Sequence, residues 1–217
     1  NGLANLTKLN CSYNKLTSLN VNSITSLAEL NCSANELTNL SINGLSNLTK
    51  LICNSNKITD LNINGLTNLV SLNCGNNDEL TSITLTNLTS LEEFSVIGNV
   101  SGNAVSSSKL TSLNLSGLPN LTKLNCSYGI LTSLNLTGLS SLTELNCSSN
   151  FLTSLNLTNL PNLELLDCSR NNISSLDVTD LTNLLELTCA NAYIVDGQYS
   201  GQLSSLNVAG LANLKKL

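Results

Sequence analysis

Apolar and polar positions alternate along the chain on a pattern that returns every 21 residues over most of its length. In Leu27-Ala28-Glu29-Leu30-Asn31-Cys32, the alternation of Leu30, Asn31 and Cys32 has the period of two expected of a short strand with one face buried. Five residues on, Leu37, Leu40 and Ile42 form a second apolar set. Their spacing predicts another inward-facing segment, on the far side of a coil. Leu45 closes the unit and Leu48 opens the next.

The cysteines mark the period. They stand at Cys11, Cys32, Cys53 and Cys74, then at Cys126, Cys147, Cys168 and Cys189, 21 residues apart within each group of four. Units open at Leu6, Leu27, Leu48, Leu69, Leu91, Leu121, Leu142, Leu163 and Leu184, and a partial one opens at Leu214. The unit opening at Leu91 has Val96 where the others have cysteine. The text Leu27-x-x-Leu30-x-Cys32-x-x-Asn35-x-Leu37 is the core of a leucine-rich repeat, with cysteine in the sixth position. The predicted fold is therefore a leucine-rich-repeat solenoid: a right-handed parallel β-coil of about nine repeats of 21 residues, two of them expanded, with little or no α-helix. The few inward residues of one unit cannot offset the entropy of ordering its backbone, so stacking must supply the remainder.

An asparagine recurs three residues after the cysteine position: Asn14, Asn35, Asn56, Asn77, Asn99, Asn150 and Asn171, with Gly129 and Ala192 breaking the series. Its amide suits the unpaired backbone groups of a turn, which makes it a structural ladder. Residues 1–217 read as a single array that starts and stops in mid-unit, and therefore as part of a longer protein, lacking both caps.

Composition narrows the chemistry. There is no Trp or Met and there are two Phe, so the core must be aliphatic. Nine Lys and Arg are scattered through a chain of net charge −5, with no basic stripe, which argues against nucleic-acid binding. No apolar run approaches the ~18 residues needed to insert in a membrane. Histidine is absent, and Glu92 and Glu93, adjacent on a strand, point to opposite faces. The chain thus reads as no enzyme, and no cofactor or metal is expected. The cysteines read as buried free thiols packing as small hydrophobes. Disulfides between neighbouring turns, a metal site and a nucleophile remain as alternatives.

Units such as the one from Leu6 to Val21, with Cys11 and Asn14 inside it, resemble the 21-residue repeats of the internalin family of bacterial surface proteins, in which a comparable cysteine ladder occurs. The resemblance covers essentially the whole chain. It implies an extracellular or cell-surface bacterial protein that binds partners or adheres, here an unknown protein or glycan on another cell or surface. The array itself is expected to be monomeric.

Candidate binding residues lie on the outward strand positions and the adjoining rim. The third positions run Lys8, Glu29, Lys50, Ser71, Glu93, Lys123, Glu144, Leu165, Glu186, where opposite charges meet. The fifth positions are mostly amides, including Asn10, Asn31, Asn125 and Asn146, a row suited to glycan or main-chain hydrogen bonding. Tyr13 and Tyr128 occupy one rim position, two residues after the cysteine. Two units carry expansions just after the strand, at 99–109 and 192–202, the second with Tyr193, Asp196 and Tyr199. Insertions of this kind gather on one face of a solenoid, often the binding face. Recognition through the concave face and rim loops is the expected function. A passive spacer is the alternative, and ice binding by the column Thr17, Thr38, Thr59, Thr81, Thr111, Thr132 and Thr153 is a more remote one.

Overall fold

A computed structural model describes residues 3–99, 108–190 and 202–217, and the backbone at 194–195 and 198–199. The strands are β1 (Lys8–Asn10), β2 (Glu29–Asn31), β3 (Lys50–Ile52), β4 (Ser71–Asn73), β5 (Glu93–Ser95), β6 (Lys123–Asn125), β7 (Glu144–Asn146), β8 (Leu165–Asp167), β9 (Ser175–Asp177), β10 (Glu186–Thr188), β11 (Ile194–Val195), β12 (Gln198–Tyr199) and β13 (Ser205–Asn207). Nine of them form one parallel sheet in the order β1-β2-β3-β4-β5-β6-β7-β8-β10. This is the parallel coil expected from the repeat, and no helix occurs among the described residues.

Each strand of this sheet is three residues long because only its middle residue is needed inside. Leu30, Leu51, Leu72, Phe94, Leu124, Leu145, Leu166 and Leu187 are buried there, between two outward side chains. Pairing is in register throughout, for example Lys8 with Glu29, Glu29 with Lys50 and Lys50 with Ser71. Like positions therefore stack into straight columns. Hydrogen bonding continues beyond the strands, as in Cys32 N–H to Ile52 O at 2.9 Å and Cys53 N–H to Asn73 O at 2.8 Å.

The far side is built differently. Backbone pairing is intermittent there, with isolated bridges Asn20–Ser41, Asn39–Asp60 and Leu61–Ile83, and the pair β9–β13. Successive turns return the chain to the sheet, with Leu45 N–H on Ile42 O at 3.3 Å and Leu48 N–H on Leu45 O at 2.9 Å. The third residue of the first of these turns takes a positive φ at Gly44, +86°, and at Asn87 and Asn159, 63° and 65°, whereas Ser23 and Asp180 complete the equivalent turns without one. Leu37, Leu40 and Ile42, with their equivalents, meet the strand leucines in one continuous aliphatic core. Backbone pairing joins β11 and β12 antiparallel within the second expansion.

Candidate recognition surface

What lies inside determines what is left free outside. Cys32, Cys53, Cys74, Cys126, Cys147 and Cys168 are buried, Cys11 and Cys189 partly so, and all eight are free thiols. Burial pushes the thiols of Cys32, Cys74, Cys126 and Cys168 up to about 12, and those of Cys53 and Cys147 well above the ordinary thiol range. Burial thus favours the neutral form of these six thiols at physiological pH, in which they pack as small apolar side chains.

The asparagine column ties each turn to the preceding unit. Asn56 Nδ2 donates to Cys32 O at 3.0 Å, Cys53 O at 3.1 Å and Asn54 O at 3.3 Å, and its Oδ1 accepts from Leu37 N–H at 3.0 Å. Asn35, Asn77, Asn150 and Asn171 repeat the arrangement. Asn14, in the first unit, reaches only its own unit's Cys11 O and Ser12 O, at 3.1 Å each. Asn99 places its amide 3.0 Å from Asp78 Oδ2. At Gly129 the column is empty, and a Cβ there would stand 2.6 Å from Asn150 Oδ1.

Immediately before the ladder position the backbone enters the left-handed region at Tyr13 (φ 57°), Ala34 (51°), Ser55 (57°), Asn76 (50°), Ser149 (56°) and Arg170 (52°), and at Tyr128 (57°) before Gly129, but not at Gly98 before Asn99. A tyrosine is an unfavourable choice for that conformation. Tyr13 is 85% exposed and Tyr128 37% exposed, so neither is kept there by packing alone.

On the concave face the columns lie as the pattern implies. Lys8–Glu29 and Lys123–Glu144 pair at 2.7 and 2.8 Å, and Lys216 reaches Glu186 at 3.3 Å. The Glu144 carboxylate beside Lys123 raises that ammonium's pKa. A second charged column follows the ladder, where Lys57 meets Glu36 at 2.8 Å and holds its carboxyl below the usual range, and Lys109 meets Glu79 at 2.6 Å.

The amide row, suited by its residue type to glycan or main-chain hydrogen bonding, uses its oxygens locally. Asn31 Oδ1 turns back to accept from Ser33 N–H at 3.1 Å and Ser33 Oγ at 2.7 Å. Asn10, Asn125 and Asn146 do the same, at 3.0, 3.1 and 3.0 Å from the N–H of Ser12, Ser127 and Ser148. The acceptor is used by a local turn, so the row presents chiefly its Nδ2 donors.

These columns border a groove of about 660 Å³ running along the strands from Lys50 to Thr188. Among the outward side chains that line it two are apolar, Ile52 at a fifth position and Leu165 at a third, the latter 37% exposed. Phe151, 41% exposed on the rim, follows Asn150. Pattern reading passed over it because it replaces a charged residue in a position with no core role. Of the other candidates, Tyr193 and Asp196 lie outside the described residues, and Tyr199 is placed only by its backbone in β12.

No protein-family model matches the chain, and no curated protein matches it either. Solved structures do. The functional domain of InlJ from Listeria monocytogenes, which includes a cysteine ladder, is 30% identical with a TM-score of 0.73, over 99% of this chain and 51% of that one. This chain is an internalin-like leucine-rich-repeat protein. It spans about half the length of the InlJ domain. Internalin C2 from Listeria monocytogenes is 25% identical with a TM-score of 0.69, covering 84% of this chain and 80% of its own. YopM from Yersinia enterocolitica is 29% identical with a TM-score of 0.56, covering 82% and 40%. In the internalin-like array no helix among the described residues is long and apolar enough to cross a membrane.

Proposed function

We propose that this array is a non-catalytic recognition module of a bacterial surface or secreted protein, binding a protein or glycan through its concave face and rim loops. The observation that carries the reading is the groove: outward side chains that the core does not need line a continuous concavity of about 660 Å³. Its fixed Nδ2 donors suit carbonyl or hydroxyl oxygens, and exposed Tyr13, Tyr128 and Phe151 on the rim are of the type that anchors interfaces. Neutral, buried thiols and the absence of histidine speak against catalysis. The internalin-like neighbours support the surface location, and residues 1–217 are proposed to form one continuous array within a longer protein.

The test is an immobilised array screened against a glycan panel and a panel of cell-surface and matrix proteins. Saturable binding is expected, lost in Ser95→Arg, which fills the middle of the groove while leaving the inward residues untouched. Binding that survives Ser95→Arg, or none in either panel, would overturn the proposal and favour a passive spacer.

A further inference from the structure

Leu165 breaks its column. At every other third position in the described sheet the residue is Lys, Glu or Ser. Folding does not require an apolar residue there, since β3 carries Lys50 at the equivalent place with the same buried leucine beside it. Leu165 is nonetheless 37% exposed in the floor of the groove. Register places Glu144 on one side of it and Glu186 on the other. Asp167, two residues on, shares its face.

The charges around this leucine are predominantly acidic; Lys123 pairs with Glu144 at 2.8 Å and Lys216 with Glu186 at 3.3 Å, in exposed contacts that an incoming cation can replace. Between β5 and β10 the outward strand positions hold Glu93, Glu144, Asp167 and Glu186 against Lys123, four carboxylates to one ammonium, with Lys216 at the far edge beside Glu186. Asp167 Oδ1 accepts from Ser169 N–H at 3.0 Å and Ser169 Oγ at 2.6 Å, and no cation pairs with it among the described residues. On the rim of the two preceding units stand Tyr128 and Phe151.

We infer that β8 holds the anchor point of the groove, where Leu165 seats an apolar side chain of a basic protein segment whose flanking cations meet Glu144, Asp167 and Glu186. The inference rests on the recognition function proposed above and specifies the partner. Parallel strands lie ~4.8 Å apart, so Glu144 and Glu186 stand ~10 Å apart across Leu165. Side chains of an extended chain alternate in direction, so those that face the groove are two residues apart, roughly 7 Å along the chain. The segment that fits therefore turns an aliphatic or aromatic residue to Leu165 and carries basic residues two positions before and after it, whose long side chains reach Glu144 and Glu186. A neutral glycan has no use for this arrangement of charge.

The probe is a fluorescein-labelled peptide of repeating Arg-Ser-Leu-Ser units, with Glu-Ser-Leu-Ser as its counterpart, titrated with the full chain while anisotropy is read at low and high salt. The arginine peptide should bind and the glutamate peptide should not. The double variant Leu165→Lys with Asp167→Ile, which writes the β3 pair onto β8, should weaken binding at least about tenfold. Glu186→Gln, nearly isosteric, should weaken it about threefold and lessen its salt dependence. Equal affinity of the wild-type chain and both variants, or a preference for the glutamate peptide, would overturn the inference. If the array instead holds a glycan or an acidic peptide and loses it in Ser95→Arg, the basic-segment inference fails and the recognition function stands. If nothing binds, both fail.

Discussion

The first three strands and the sixth to eighth are nearly the same text set in two places. β1 and β6 both read Lys-Leu-Asn, and β2 and β7 both read Glu-Leu-Asn. Each pair is joined by one Lys–Glu contact, at 2.7 Å in the first block and 2.8 Å in the second. The ladder asparagines bond alike, with Asn35 and Asn150 each reaching two cysteine carbonyls. At the third strand the blocks part. β3 reads Lys-Leu-Ile and β8 reads Leu-Leu-Asp, so the apolar and charged positions trade places and the charge changes sign. The rim parts as well: Lys15, Glu36 and Lys57 in the first block stand where Ile130, Phe151 and Asn172 stand in the second. Inward residues are held constant because every unit must stack on the next, while outward residues vary at little cost to the coil.

The most severe test of that equivalence is alkaline pH. The buried thiols have folded-state values raised above 9.0, so their contribution is fully present below pH 9. It is lost as the pH rises through about 12, because the unfolded chain releases protons first. Each thiol should remove about 1.4 kcal/mol per pH unit in that window. Urea midpoints measured from pH 8 upward should fall steeply, and replacing Cys126, Cys147 and Cys168 by alanine should roughly halve the slope. A slope unaffected by those replacements would break the comparison at its core.

Next comes the asparagine ladder. Asn56→Ala and Asn150→Ala each leave buried carbonyls and one N–H without a partner, at about 3–4 kcal/mol apiece in urea unfolding. Equal losses mean that the two blocks are built alike, and a gap above ~1 kcal/mol means that they are not. Gly129→Ala sharpens the picture, since its methyl would crowd Asn150 Oδ1 at 2.6 Å and disturb the bond from Leu131 N–H. A cost of about 1–2 kcal/mol is expected in the same assay. The smallest effect belongs to the exposed ion pairs: Lys8→Ala and Lys123→Ala should each change stability by less than ~1 kcal/mol.

The fold was legible because repetition shows the same inward set in unit after unit, and Leu27, Leu30, Cys32 and Leu37 are all fully buried. The site was less so. Asn10, Asn31, Asn125 and Asn146 were legible as a row of amides, while the turn that folds their oxygens back onto serines two residues on is invisible to spacing along the array. Tyr13 and Tyr128 were visible as rare aromatics, but their left-handed backbone was not. Leu165 stood in its column as an anomaly whose meaning needed the register that sets Glu144 and Glu186 beside it. Phe151 gave no signal, because a rim position tolerates any residue.

A scaffold whose cysteines and ladder asparagines serve the interior, leaving the outward columns free for recognition, can be tested by native-state thiol labelling. The array is pulsed with a bulky maleimide and each cysteine is read by mass spectrometry. Cys53, Cys74, Cys126 and Cys147 should stay unmodified for as long as the chain is folded, with Cys11 and Cys189 reacting first. Modification of Cys53 or Cys126 at the rate seen in urea-unfolded chain would contradict the account.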